Sequence, residues 1–428
     1  MEKVIQFLTE IEKLIKYQTD YKVTYSGERK YFGGRNILGN PISFVFGVNS
    51  KNNILSISLE SSKSIGSILI KEIYINKINE LSNIGYRISL SKGSKNKEWT
   101  RLEVLINIDS LENIMNYTDI YLKTFIEYRN IVEDYIKNKK GVWIFQGNPI
   151  YEQEFDFNKD LIKGETVSWS VKKKYHVDRI KSNDEVYIWR SDGNEKGTGG
   201  IVAHGVIVDN PYKVDGNYSV DVKIDEVRLT ESEHMMKRTD MKEDIILSDL
   251  LIIKQPNGTN YKLQEYEASY IKNIWKGKNS YRTIEDTNYW AMAVGENSRY
   301  WEECKNDEEI LIGWEYLGNL IQYNDKDSIN QAIKNYKNIE QNPVNDTLGV
   351  YQFLYSMKIG DIVIVKQGKN NILGYGIITS DYNYYKDKDE CKHSRKVKWI
   401  KIGSWTLKSE GSFTTKTLTD ITNYTEFI

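Results

Sequence analysis

Three tryptophans carry the most distinctive chemistry in this sequence: Trp143 in GVWIFQGNP (141–149), Trp169 in VSWSV (167–171) and Trp189 in DEVYIWRS (184–191). Trp169 and Trp189 are flanked by polar pairs, Ser168/Ser170 and Arg190/Ser191, and each is expected near a strand end. Two aromatic faces at the rim of a small barrel can clamp a planar ring, and such stacking is worth about 1–3 kcal/mol per base whatever the base. Selectivity then falls to backbone groups and small polar side chains at the ring edge. Gly199 and Gly200 lack a Cβ and let the backbone come close. The competing reading is that these rings are core, because aromatics bury large apolar area. For Trp143 the two readings stand level.

Other chemistries find little support. There is no GxxxxGK[ST], hence no phosphate loop. GTGGIVAHG (197–205) is Gly-rich, but it falls between two expected strands and opens no helix that could hold a phosphate. The four histidines, His176, His204, His234 and His393, share no metal-ligand spacing with one another or with a cysteine. Cys391-Lys392-His393 is half a metal site at most, and a surface pair is the simpler reading. No G-x-S-x-G occurs. Glu60 and Lys63 in ISLESSK (57–63) suggest the acid and lysine of metal-dependent nucleases, but two residues intervene. Alternate spacing is what places both on one strand face. No catalytic residue, metal or cofactor is expected, although an unrecognised nuclease in the N-terminal part stays open as an alternative.

The chain has 428 residues, enough for about two to three domains. Its formal charge is −1, and it holds 31 Tyr and 10 Trp. Residues 1–140 contain 21 Lys+Arg and 16 Asp+Glu, a balance of +5, so the remainder sums to −1 − 5 = −6. Neither part is basic enough to hold nucleic acid by charge alone. No apolar run reaches 18 residues, so no membrane partner is expected. MEKVIQFLTEIEK carries acids within its apolar period and reads as a helix of the mature fold. Two cysteines fit a reducing cytoplasm.

The elements that would position these residues follow from periodicity. Residues 3–16 have helical spacing, as do 71–81 and 118–137. Strand-like runs occur at 42–48, 54–60, 86–91 and 101–106. This is a mixed α/β domain over 1–140, with NKKG (138–141) as linker. From 141 strands dominate, with turn signals in SDGNEKG, NPYKVDGN and QPNGTN, as in a small barrel or curled sheet. A helix at 262–277 closes this domain (141–279). A third unit, 286–410, contains the helix 327–340, and a polar Thr-rich tail covers 411–428.

The second and third units repeat one grammar. Trp143 and Trp290 open strands, and Trp169 and Trp314 follow at 26 and 24 residues. SNDEVYIW then leads into IVAHGVIVDN, and KIGDIVIV leads into ILGYGIITSD, so Asp184 matches Asp361 and Gly205 matches Gly376. The position of Trp189 is Lys366.

WIFQGNP (143–149), VSWSV (167–171), DEVYIWRS (184–191) and GTGGIVAHGVIVDNP (197–211) together resemble the EVE domain of the PUA-like superfamily, related to YTH. WAMAVGENSRYW (290–301), IGWEYLGNL (312–320), MKIGDIVIVKQG (357–368), LGYGIITSDYNY (373–384) and RKVKWI (395–400) resemble the EVE-like domain of McrBC-type modification-dependent restriction proteins. The resemblance implies an α+β multidomain protein whose α/β domain precedes two PUA-like (EVE) small β-barrels with flanking helices. It implies an aromatic cage for a modified base flipped out of DNA, with modified DNA as the partner and RNA of the YTH/PUA type as the alternative. It places Trp169 and Trp189 as cage walls, with Trp143, Asn148, Ser170 and Arg190 in support. In the second copy the candidates are Trp290, Trp314, Lys366 and Trp301, the last able to replace a missing wall. No motor motif lies in these residues, so a separate nuclease or AAA+ motor subunit is expected alongside, in phage defence.

Overall fold

The structure is a computed structural model. It describes residues 2–424 apart from 20, 22, 27–28, 33–36, 39, 86, 93–99, 152–154, 387 and 408–411. The protein is a mixed α+β chain. Contacts divide it into two compact units, residues 1–141 with 168–185 and 206–222, and residues 142–167 with 186–205 and 223–428.

The N-terminal sheet has β1 (Val23–Ser26), β2 (Arg29–Phe32), β3 (Ser43–Asn49), β4 (Ile54–Ser61), β5 (Arg87–Lys92) and β6 (Thr100–Asn107) in the order β1-β2-β3-β4-β6-β5. Every neighbouring pair is antiparallel. Helices α1 (Glu2–Gln18), α2 (Ser64–Ser82) and α3 (Thr118–Asn138) share one core with it, including Phe7, Phe44, Ile57, Val104 and Phe125. The hydroxyls of the buried Tyr121 and Tyr128 donate to the carbonyls of Ser56 and Leu102 at 2.7 and 2.8 Å, so neither hydroxyl is stranded in the core. Helix α2 starts seven residues before the expected Lys71. Its first turn holds Gly66, where a Cβ would stand 2.2 Å from Ser61 Oγ and 2.5 Å from the Pro41 carbonyl, so only glycine fits.

The second sheet has β7 (Val142–Gly147), β8 (Thr166–Val171), β9 (Glu185–Arg190), β10 (Gly200–Ile207), β11 (Tyr212–Val214), β12 (Asn217–Val227), β13 (Met236–Lys237) and β14 (Asn260–Lys262). Their order is β11-β12-β10-β9-β7-β14, with β8 on β12 and β13 on β10. The third has β15 (Tyr289–Met292), β16 (Glu309–Ile312), β17 (Ile362–Gln367), β18 (Asn371–Ile378), β19 (Asn383–Tyr384), β20 (His393–Thr406) and β21 (Leu418–Asp420). Their order is β16-β20-β18-β17-β15-β21, with β19 on β20.

These orders match strand for strand: β8/β16, β12/β20, β10/β18, β9/β17, β7/β15 and β14/β21. The match extends to single hydrogen bonds. The Asn183 N–H donates to the Ile207 carbonyl and the Gly360 N–H to that of Ile378, both at 2.8 Å. Both donors hold left-handed backbone, φ 69° and 91°. Asp184 accepts the N–H of Gly141 (2.6 Å) and of Lys181 (3.1 Å). Asp361 accepts those of Asn288 (3.3 Å) and Lys358 (2.9 Å) at the same places. Each aspartate thus clips the turn before the second strand to the start of the first.

Two segments depart from the sequence reading. The Thr-rich tail supplies β21, which pairs with β15 through Trp290↔Asp420. The insertion before β17 holds Lys326–Lys337, as expected, and also Val344–Tyr351 running into a π-helical turn, Gln352–Ser356. Buried Arg395 donates to the carbonyls of Phe353 (2.8 Å) and Leu354 (2.9 Å), satisfying acceptors that the wide turn leaves open, and ties the turn to the Ser380 carbonyl (3.1 Å).

Candidate base-binding site

Trp189 is the fifth residue of β9 and only 2% exposed. It belongs to one buried core with Ile144, Tyr187, Ile201, Met236 and Trp275. Successive residues of a strand face opposite ways, so Trp143, beside Ile144 on β7, points to the other face. There its ring lies 6.5 Å from Phe145, fully buried. On β8, Val167, Trp169 and Val171 are buried while Thr166, Ser168 and Ser170 are exposed, and Trp169 is 6% exposed. The rings of all three tryptophans are thus covered.

The polar candidates serve the chain's own backbone. Burial lowers the pKa of Arg190, whose guanidinium donates to the carbonyls of Thr198 (Nη2, 2.7 Å) and Leu229 (3.0 Å). Asn148 Oδ1 accepts the Ile150 N–H at 3.1 Å. Asp192 explains the SDGNEKGTGG turn: Oδ1 accepts from Gly197 N (3.1 Å) and Gly199 N (2.8 Å), and Oδ2 accepts from Arg238 (3.0 Å). A Cβ at Gly200 would sit 2.1 Å from the Met236 carbonyl. The room expected there for a ring edge is filled by β13.

In the second copy, Trp290 is buried and donates from Nε1 to Asp361 Oδ2 at 2.8 Å. Trp301 packs edge-on to Trp399 at 4.9 Å and over Gly374, where a Cβ would meet its ring at 2.7 Å. Lys366 is 2% exposed, and burial lowers its pKa. Among the described residues its ammonium has no hydrogen-bonding or ionic partner. Trp314 does not occupy the place of Trp169. It lies two residues past the end of β16, in left-handed backbone with φ 67°. Counting from the bonds that tie each short strand to its long neighbour gives the register. Glu165 O accepts from Ile224 N (2.9 Å), and Glu308 O accepts from Val397 N (2.7 Å). Four residues on stand Trp169 and Ile312, and five on stand Ser170 and Gly313. From Trp143 and Trp290, five residues on stand Asn148 and Gly295.

Gly295 and Gly313 line a cavity of about 200 Å³ together with Arg299, Tyr300, Glu315, Glu390 and Cys391. The equivalent strand ends of the first copy carry Asn148 and Ser170. Glu315 Oε1 accepts the Cys391 N–H. Tyr300 donates its hydroxyl to Glu390, and Arg299 lies over the Tyr300 ring at 4.7 Å. The hydrogen bond to Glu390 pushes the Tyr300 hydroxyl up to about 12. Burial and the Glu315 charge push the Cys391 thiol up to about 11, so it is a protonated wall and not a nucleophile. Asn297, Ser298, Trp314 and Cys391 all hold left-handed backbone (φ 51°, 55°, 67° and 51°) on the segments that form this cavity. Such conformations cost about 1–3 kcal/mol each and gather at ligand sites. No spacing rule exposes this cluster in the sequence, because Arg299–Tyr300, Gly313–Glu315 and Glu390–Cys391 come from three separate connections.

Beside Trp314, buried His393 shares its carbonyl: Nε2 lies 3.3 Å from Trp314 O and Nδ1 lies 2.8 Å from Tyr382 Oη. A carbonyl only accepts, so Nε2 carries the proton and Tyr382 donates to Nδ1. On the first copy, Arg228 stacks on Trp275 at 4.1 Å, and both bond Glu226. In the N-terminal sheet, Glu60 is buried and accepts from Arg101 Nε at 2.7 Å, and Lys63 is exposed. Among the described residues one acidic trio lies close enough for a metal, Glu303, Asp307 and Glu309. Lys388 bonds its Glu303 and Glu309, and Lys396 also bonds Glu309.

Residues 290–422 match a family described as Domain of unknown function (DUF8426). No curated protein matches. Three solved structures are similar over 33% of this chain. A hypothetical protein from Leishmania major is 18% identical, covered over 98% of its length, with a TM-score of 0.27. Rpa0253 from Rhodopseudomonas palustris is 16% identical, covered over 96%, with a TM-score of 0.27. Atu2648 from Agrobacterium tumefaciens is 14% identical, covered over 98%, with a TM-score of 0.24. No helix among the described residues is long and apolar enough to cross a membrane.

Proposed function

We propose that the repeated sheets are PUA-like (EVE) barrels and that the protein is a non-catalytic reader of a modified base flipped from DNA. It would act with a separate nuclease or AAA+ motor in modification-dependent restriction. The observation that supports this best is positional. The strand-end positions held by Ser170 and Asn148 in one copy are held in the other by Gly313 and Gly295, which line a cavity framed by strained backbone. A flipped base needs such a recess, stacking on a ring and edge contacts to a few polar groups. Weak overall charge leaves selection to stacking and shape.

Covered rings set a condition. A base reaches Trp169 only by displacing what covers it, so binding at the first copy is coupled to opening, and association is slow for a nucleic-acid binder. The experiment is a pair of variants titrated against a duplex holding one modified base. Trp169→Phe keeps a ring and a fold with an unchanged circular dichroism spectrum, and weakens binding. Trp169→Ala removes the first copy's contribution and weakens it further. Wild-type affinity in a folded Trp169→Ala would contradict the first-copy site. Replacing deoxyribose by ribose in the same oligonucleotide separates DNA from RNA reading.

A further inference from the structure

We infer that Glu315 is the specificity-determining residue of the second copy, accepting a hydrogen bond from the exocyclic amino group of a cytosine-type base in the cavity. The inference rests on the base-reader reading above. Four observations carry it. The cavity, about 200 Å³, is small; at Gly313 a Cβ would meet nothing nearer than Glu315 at 3.8 Å, so a flat group can approach the backbone there, while Gly295 seats the Tyr300 ring that forms the facing wall. Glu315 lies against Gly313, with both carboxylate oxygens 3.8 Å from where a Cβ would be. Only its Oε1 is engaged, by the Cys391 N–H, and among the described residues Oε2 accepts nothing. The backbone that aims it is held in costly geometry: Trp314 immediately before it is left-handed, and so is Cys391, which fixes its other oxygen.

A carboxylate is an acceptor only. It pairs with the amino group at C4 of cytosine and repels the C4 oxygen of thymine. 5-Methylcytosine and thymine share their shape and their methyl group and differ at that edge, so they isolate the effect. The rim cluster of Arg299, Tyr300 and Glu390 is neutralised within itself by the Arg299–Glu390 pair at 3.2 Å and offers no competing anion site.

The test uses the full chain and two duplexes that differ in one mismatched residue, 5-methylcytosine or thymine. Wild type is expected to favour 5-methylcytosine by about tenfold. Glu315→Gln keeps an oxygen for the Cys391 N–H and loses the preference. Gly313→Leu, at a position of ordinary backbone with nothing nearer than Glu315, fills the cavity and gives the same loss with an unchanged melting curve. Binding of both duplexes with the preference intact in Glu315→Gln overturns the inference and leaves the reader reading standing. Binding of neither duplex by wild type overturns the inference, and the reader reading falls with it only if modified-adenine duplexes also bind no tighter than unmodified ones.

Discussion

At the scale of single residues, the tryptophans divide by what surrounds them. Trp189 belongs to a buried core that draws on both sheets of its unit, with Tyr187 and Ile201 from one and Ile359, Ile362 and Ile377 from the other. Removing so large a buried ring costs about 3–5 kcal/mol. Trp189→Ala should therefore lower the unfolding free energy read from urea denaturation by that amount, whatever it does to binding. The sequence made Trp189 conspicuous through its polar neighbours, but Arg190 is spent on the Thr198 and Leu229 carbonyls. Polar flanks marked a turn anchor as readily as a ligand edge. His393 gives a second residue-level prediction. Burial lowers its pKa below the ordinary value of about 6.5. Between the folded value and about 6.5 the unfolded chain takes up a proton that the folded chain does not. Stability is therefore complete above about pH 6.5 and falls as pH drops below it. A His393→Gln variant should show a flatter dependence of the unfolding free energy between pH 7 and 5, and an unchanged slope would contradict the assignment.

At the scale of elements, the repeat was legible because its punctuation is chemical. Asp184 and Asp361 each accept two backbone N–H groups at equivalent positions, so the spacing between an early strand and a later aspartate survives the divergence around it. Asp361 also takes Trp290 Nε1 and Arg282 Nη2, both at 2.7–2.8 Å, while fully buried. Asp361→Ala leaves the Trp290 indole donor without its acceptor and Arg282 with only the Ile359 and Asp286 carbonyls, no carboxylate, and should cost about 3–5 kcal/mol by chemical denaturation. A loss under about 1 kcal/mol would remove the clip from the account. What the sequence hid has physical causes. LTD (418–420) is too short for alternation to show, yet it pairs beside β15. The first turn of α2 contains Gly66, which reads as a breaker until its contact with Ser61 and Pro41 is seen. Trp314 matched Trp169 in spacing alone, and strand register separates them.

At the scale of the molecule, two copies of one sheet topology carry different residues where their strands end. Asn148 and Ser170 stand in the first, and Gly295 and Gly313 in the second, while Trp189 is exchanged for a buried, unpaired Lys366. Duplication with divergence at those ends suits two recognition sites of different preference on a chain with little net charge. A reader of this kind must distinguish a modified base from its ordinary form. The most direct measurement is the affinity of the full protein for duplexes carrying one modified cytosine or adenine against the same duplex unmodified, at one salt concentration. At least one modified duplex should bind about tenfold or more tightly than the unmodified one. Equal affinity for all of them would contradict it.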